Sequence, residues 1–372
     1  MHKKIIHVTE AMGGGVLDFL VVLSEHQEQY FESIEVIYIE RKETPNLNSL
    51  KQRFSKSIIL SPVSFPFNTP KSIQKLFRPL LFLWLYAILL SKLLKTRGLV
   101  IHAHSTISGL IVRSVPKILL KRNLCAYSPH GYAFLKNDIP KFAIATIKGI
   151  ERFLSKKGTT ICTSNSEVDT ATMNNGKRGK IELLTNGVEV REIATSSRTY
   201  PTDVPVIGMV GRIVPQKAPW RFQQIAQSMS PNARFIWIGS SDANPNNWLD
   251  PELIEISPWV EREILKKEMD RIDVLLFPTQ YEGASLAISL AQSRGIPAVV
   301  SNVTGNKDSV LDHYSGYICD TNEEMIRRIY DILESKEKYE AFSKSALAFA
   351  YDNLSNHELG KRSLKTYFAE SV

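Results

Sequence analysis

Thirteen short β-rich runs, three to seven residues each, recur along this chain of 372 residues, and helix-length stretches separate them. They are Ile5 to Val8, Glu35 to Ile39, Ile58 to Leu60, Leu99 to His102, Cys125 to Ser128, Thr160 to Thr163, Ile181 to Leu184, Val204 to Val210, Phe235 to Ile238, Leu253 to Ile256, Ile272 to Phe277, Ala298 to Ser301 and Tyr317 to Cys319. A strand covered on both faces reads as a continuous apolar run, and helical crossovers make its neighbours parallel. The chain is longer than one core usually supports. A polar connector, Thr195 to Asp203, divides the runs into two sets. The expected fold is therefore α/β, with two parallel-sheet domains facing across a cleft and ligands at the C-terminal ends of the strands. The expected boundaries are 1–190, 200–355, and a tail at 356–372 that crosses back onto the first domain.

Charge separates the two halves. Residues 1–190 hold 26 Lys and Arg against 14 Asp and Glu, while the whole chain is only +8. A basic half suits anionic lipid headgroups or a phosphorylated acceptor, and its cations are not interleaved with the aromatics that a nucleic-acid stacking surface needs. Nucleic acid is not an expected partner. The three cysteines, Cys125, Cys162 and Cys319, are far apart in apolar runs, which fits neither a disulfide framework nor a zinc site. Met1 to Val8 reaches polar residues too soon for a signal-peptide core, so a cytoplasmic location is expected. Leu81 to Leu90 is uncharged and flanked by basic residues. It is too short to span a bilayer, and it reads either as a core helix or as one lying on an inner leaflet.

Chemistry concentrates at three turns. Phe277-Pro278-Thr279-Gln280-Tyr281-Glu282-Gly283-Ala284-Ser285 follows an apolar run and precedes the helix-like Leu286 to Arg294. Gly283 permits close backbone approach, and the helix N-terminus favours a phosphate. A carboxylate at Glu282 adds nothing to a phosphate cradle, but it can accept hydrogen bonds from sugar hydroxyls. That pairing points to a sugar nucleotide. Gly13-Gly14-Gly15 opens a second such turn, with neither the dinucleotide nor the Walker spacing. Gly211-Arg212 with Lys217 places two cations after a strand, where they can stabilise the charge that builds on a departing diphosphate. Two solvated surface cations are the plain alternative.

Taken in order, these pieces resemble the glycosyltransferases of family 4, retaining enzymes of the GT-B fold with two Rossmann-like domains. The matching residues are Gly13-Gly14-Gly15, His102-Ala103-His104-Ser105, Pro129-His130-Gly131-Tyr132, Thr163-Ser164-Asn165-Ser166-Glu167, Asn186-Gly187-Val188, Gly211-Arg212 with Lys217, Tyr281-Glu282-Gly283 and Gly295-Ile296-Pro297. The resemblance implies that Glu282 contacts donor-sugar hydroxyls and that Arg212 and Lys217 bind the diphosphate. It places Gly14 and Gly15 near that diphosphate and His130 beside the donor sugar. Gly283, Ala284 and Ser285 would complete the donor site. Pro258-Trp259-Val260 would hold the base, although Trp259 fits a core equally well. His102 and His104 read as a strand end without a third ligand, so no metal site is expected.

One departure stands out. The family's second acid falls at position 290, which is Leu290 here, and a neighbour such as Ser289 or Gln292 is expected to replace it. No Asp-x-Asp motif occurs, so the cations rather than a metal are expected to assist departure, and no cofactor is expected. The resemblance implies transfer with retention from a nucleotide-diphosphate sugar to a glycan or lipid-diphosphate-linked acceptor in surface polysaccharide synthesis. Two alternatives stay open at this point: a non-catalytic partner subunit, suggested by Leu290, and a sugar-nucleotide epimerase of the same architecture.

Overall fold

The computed structural model describes residues 4–10, 12–41, 44–65, 71–240, 244, 247–258 and 260–368, with backbone alone for 71–78, 177 and 240. It divides into two compact units: Met1–Phe134, Pro140–Leu184 and Glu358–Val372 form the first, and Leu135–Ile139 and Thr185–His357 the second. The closing helix Leu359–Phe368 therefore belongs to the first unit, where it packs on helix Gly14–Gln27.

The first unit is a parallel sheet of seven strands: β1 Lys4–Thr9, β2 Ser33–Ile39, β3 Ile59–Val63, β4 Leu99–His104, β5 Leu124–Ser128, β6 Thr159–Cys162 and β7 Lys180–Leu183, in the order β3-β2-β1-β4-β5-β6-β7. The second has six: β8 Val206–Val210, β9 Arg234–Ser240, β10 Ile254–Pro258, β11 Val274–Phe277, β12 Ala298–Ser301 and β13 Gly316–Cys319, in the order β10-β9-β8-β11-β12-β13. Each run read from the sequence falls on a strand; the inner strands are covered on both faces and apolar, whereas β3, β7 and β10 at the outer positions keep exposed residues. In the first core, Ile5, Val36, Val100 and Ile161 meet Leu17, Leu20 and Leu23 of helix Gly14–Gln27 and Leu359 of the closing helix. In the second, Met209, Trp237, Phe277 and Val299 meet Phe222, Ile288 and Ile329.

Strand order locates the functional end of each sheet. The chain leaves β1 toward β2 and leaves β4 toward β5, so the two neighbours diverge; β8 and β11 do the same. Crevices at such divergent pairs are where α/β sheets bind ligands. The turn at Gly13–Gly15 follows β1, Ser105 follows β4, Gly211 follows β8, and Pro278 follows β11. The sequence motifs thus fall at the switch point of each unit.

Helix Lys71–Lys95 is amphipathic. Leu81, Leu85, Leu89 and Leu93 are buried at a four-residue spacing, whereas Leu80, Leu83, Trp84 and Leu94 are exposed. Among the described residues no helix is long and apolar enough to cross a membrane.

The chain enters and leaves the second unit through one clasp. Val188 N–H donates to Leu354 O at 2.8 Å, and Asn356 N–H returns to Val188 O at 2.8 Å. Asn356 also bonds both backbone groups of Gly187 at 3.0 Å. A Cβ on Gly187 would lie 1.6 Å from Leu354 O, so only glycine fits there.

Candidate functional site

In the first unit, helix Gly14–Gln27 begins at Gly13, whose extended backbone offers no side-chain cap. Gly14 has φ +54°, and no heavy atom of the described residues lies within 4 Å of where a Cβ on Gly14 or Gly15 would stand. Its first-turn amides are therefore not capped by a side chain, as an anion site requires. The neighbouring helix Thr106–Ser114 is not available in this way. Buried Glu10 fills its N-terminus, accepting from Ser105 Oγ, from Ser108 N–H at 3.0 Å and from Ser108 Oγ at 2.6 Å.

His130 sits on backbone that L residues seldom adopt, with φ +53° followed by Gly131 at +91°. Glu167 holds this corner. One of its carboxylate oxygens accepts from Gly131 N–H at 2.7 Å, and the other accepts from Thr163 N–H at 2.7 Å and Thr163 Oγ at 3.0 Å. The imidazole packs edge-on to Phe19, with ring centroids 5.0 Å apart. Burial pushes its pKa down to about 4, so it is neutral at pH 7.

The sequence reading counted two strand-end histidines without a third, and the structure corrects that count. The β1–β4 register pairs His7 with His102, and His104 is next on the same face. One nitrogen from each of the three lies within 4.8 Å of the others, which is a metal-like donor set. All six of their ring nitrogens are nonetheless hydrogen-bonded: His7 to Gln27 and His104, His104 also to His130, and His102 to Tyr367 and Ser128. Burial lowers the pKa of His7 to about 4, and burial with the neighbouring histidines holds His102 and His104 well below the ordinary value. His7, which the sequence reading did not single out, and Glu167, whose motif it named without this role, act through partners set by strand pairing and by a helix N-terminus rather than by local spacing.

In the second unit the structure joins Lys217 to Glu282. Lys217 Nζ donates to Glu282 Oε1 at 2.8 Å and lies 4.6 Å from the centre of the Phe277 ring. The two side chains are only 16% and 10% exposed. Gly211, at φ +146°, lets the lysine stem pass, since a Cβ there would stand 3.1 Å from Lys217 Cε. Three further bonds tie the Pro215–Lys217 turn to the loop after β11. Gln280 N–H donates to Gln216 O at 2.9 Å, Gln280 Nε2 to Pro215 O at 3.0 Å, and Gln216 Nε2 to Tyr281 O at 3.1 Å. Glu282 N–H donates to Thr304 O at 2.9 Å, and Gly305 (φ +85°) lets that strap lie against the Glu282–Gly283 backbone. Buried Asn306, which carried no sequence signal, braces the loop through Thr279 Oγ at 2.8 Å.

Other expected residues stand apart from this pair. Arg212 is exposed and has no ion-pair partner among the described residues. Ser285 precedes helix Leu286–Ser293 without capping it through its side chain. Ala284 is half-buried, as is Val260, which packs on the core. Trp259 lies outside the described residues.

Leu290 and the two neighbours expected to replace the second acid are all buried. Leu290 is 5% exposed and belongs to the core. Ser289 is buried and donates to Ser285 O at 3.3 Å. Gln292 is fully buried, its amide nitrogen donating to Ile296 O and Ser315 O. Both neighbours use their donors on backbone oxygens, and Gln292 Oε1 has no partner among the described residues.

Residues 190–348 match the family profile described as glycosyl transferases group 1. The chain is 28% identical over 260 residues to the UDP-Gal:alpha-D-GlcNAc-diphosphoundecaprenol alpha-1,3-galactosyltransferase of Escherichia coli, covering 63% of this chain and 66% of that one. It is 25% identical over 344 residues to an uncharacterized 41.2 kDa protein in the cps region of Klebsiella pneumoniae, covering 89% of each. A solved structure of Anabaena HepE in complex with UDP and glucose superposes with a TM-score of 0.75 at 16% identity, covering 99% of this chain and all of that one. With the two parallel sheets and their switch-point motifs, these likenesses show the GT-B fold and make residues 190–348 similar to the glycosyltransferases of group 1.

Proposed function

We propose that this chain moves a sugar, with retention of configuration, from a nucleotide-diphosphate donor to a glycan or lipid-diphosphate-linked acceptor in surface polysaccharide assembly. The observation that carries this reading is the Lys217–Glu282 pair at the second switch point. A fixed ammonium there would meet the charge that develops on the departing diphosphate, and exposed Arg212 would add a second cation. Glu282 would orient donor hydroxyls, and the glycine turn at Gly14 and Gly15 would contribute backbone amides. These groups would carry the leaving-group charge without a metal. The relative named for transfer to a diphosphoundecaprenol-linked sugar supports this acceptor class.

A lipid-linked acceptor would require approach to an inner leaflet. Helix Lys141–Leu154 exposes Phe142, Ile150 and Phe153 beside Lys141, Lys148 and Arg152, and it packs on helix Thr106–Ser114, which also contacts helix Lys71–Lys95 with its exposed Leu83 and Trp84. Apolar side chains ringed by cations suit an anionic bilayer surface.

Thermal shift with uridine, guanosine and thymidine diphosphates, followed by turnover of the matching sugar nucleotides, tests the reading. One base should stabilise the chain, and Lys217→Ala should abolish both effects. Buried Leu290 supports a second reading, a non-catalytic partner subunit. Nucleotide binding with no turnover, with or without added EDTA or divalent cation, would favour that subunit.

A further inference from the structure

Three buried histidines of the first unit, His7, His102 and His104, form a directed chain with half-buried His130. Ser363 Oγ donates its one proton to Gly360 O at 2.7 Å, so it must accept from Gln27, whose amide nitrogen lies 2.9 Å away. That fixes the Gln27 amide, with its nitrogen toward Ser363 and Tyr367 and Oε1 toward His7 Nε2 at 2.9 Å. An amide oxygen only accepts, so His7 carries its proton on Nε2 and leaves Nδ1 bare. His104 Nε2–H donates to that Nδ1 at 3.0 Å, and His130 Nε2–H donates to His104 Nδ1 at 3.0 Å. The branch through Tyr367 agrees: its hydroxyl accepts from Gln27 and donates to His102 Nδ1 at 2.9 Å, leaving His102 Nε2–H for Ser128 Oγ at 2.9 Å. Every link is neutral and singly donated, and the chain ends at His130 Nδ1, which has no partner among the described residues.

We propose that Gln27, His7 and His104 are positioning residues for His130: anchored on the closing helix through Ser363, they hold its imidazole in the Nε2–H tautomer, so that Nδ1 is the hydrogen-bond acceptor offered to a ligand hydroxyl. The far end of the chain is an amide that cannot take up a proton, so the device orients an acceptor and does not export protons. The reverse tautomer would require His104 Nδ1–H and His7 Nδ1–H, and it would set His7 Nε2 lone pair against Gln27 Oε1. Two acceptors facing each other in a buried site are disfavoured, which gives the chain its single direction. The link to a sugar hydroxyl rests on the proposed transferase function; the tautomer assignment does not.

Long-range proton–nitrogen correlation spectra of the full chain at pH 7 test it. Four non-titrating histidines should all show the Nε2–H pattern. Gln27→Leu removes the acceptor that sets the direction, so His130 should acquire the Nδ1–H form, whereas Tyr367→Phe breaks only the His102 branch and should leave His130 unchanged. In turnover, Gln27→Leu should lower kcat/KM about tenfold, the effect of roughly one oriented hydrogen bond, while leaving nucleoside-diphosphate affinity unchanged. A wild-type His130 with Nδ1–H or mixed tautomers overturns the proposal, as does an unchanged His130 spectrum in Gln27→Leu. Stoichiometric zinc in the purified chain, bound through His7, His102 and His104, would also overturn it, because coordination replaces these hydrogen bonds. Absent turnover with the expected spectra sinks the transferase reading and leaves the tautomer assignment standing.

Discussion

Replacing Glu282 by Gln keeps the shape of the side chain and removes its charge, which isolates the value of the ion pair with Lys217. The lysine side chain is only 16% exposed, with its ammonium above the Phe277 ring, and its only charged partner among the described residues would be gone. Breaking a buried pair by removing one member costs about 3 to 5 kcal/mol, because the surviving charge is left uncompensated. The second unit spans Thr185–His357, and for a domain of this size each kcal/mol shifts Tm by about 2 to 4 °C. Glu282→Gln should therefore lower the melting temperature of this unit by roughly 6 °C or more. Lys217→Met should cost a similar amount, since it leaves a carboxylate whose side chain is only 10% exposed without its partner, while the methionine stem still packs on Phe277. The double variant should recover part of the loss, with a coupling energy near ~2 kcal/mol. Urea unfolding followed by the fluorescence of buried Trp237 reads the cycle directly. Additive effects within about 0.5 kcal/mol would mean that the two groups do not act as a unit, and the case for a prepared cation at this switch point would fail.

Further expectations bear on other parts of the chain. Gly187→Ala should disrupt the clasp at Leu354 and destabilise the second unit by at least ~2 kcal/mol, measured by the urea midpoint; a neutral result would contradict the close approach. Glu167→Ala strips acceptors from the Gly131 and Thr163 amides and should cost about 2 to 3 kcal/mol in the first unit, with hydrogen exchange rising at Gly131. His7 and His130 are depressed to about 4 in the fold against 6.5 unfolded, so between these values the unfolded chain binds more protons. Stability should fall as pH drops from about 6.5 toward 4, and a flat profile across that window would refute their buried neutral state. Vesicles rich in anionic lipid should float the chain at low salt, and Phe142→Ser with Phe153→Ser should abolish that binding.

The strands were readable because their constraint is local: a run such as Ala298–Ser301, covered on both faces, must be apolar whatever its partners. The Glu282 and Lys217 motifs were readable for a related reason, each lying a few residues past a strand end. What escaped depends on pairing between distant segments. His7 meets His104 only because β1 lies beside β4, 97 residues away in sequence, and no spacing within either strand reveals it. Glu167 closed one of the matching motifs, but nothing in that motif tells that it fixes a histidine corner 36 positions earlier. At position 290 burial was not legible: Leu290, Ser289 and Gln292 are all buried, and the donors of the two polar neighbours serve backbone oxygens.

The clasp of Gly187 and Val188 with Leu354 and Asn356 brings the two ends of the second unit together. A module whose entry and exit are neighbours behaves like a plug with both prongs on one side. Residues 185–357 can be lifted out of a gene as one contiguous cassette and set into another scaffold without stretching the chain, so recombination could exchange them while the first unit and its closing helix were inherited intact.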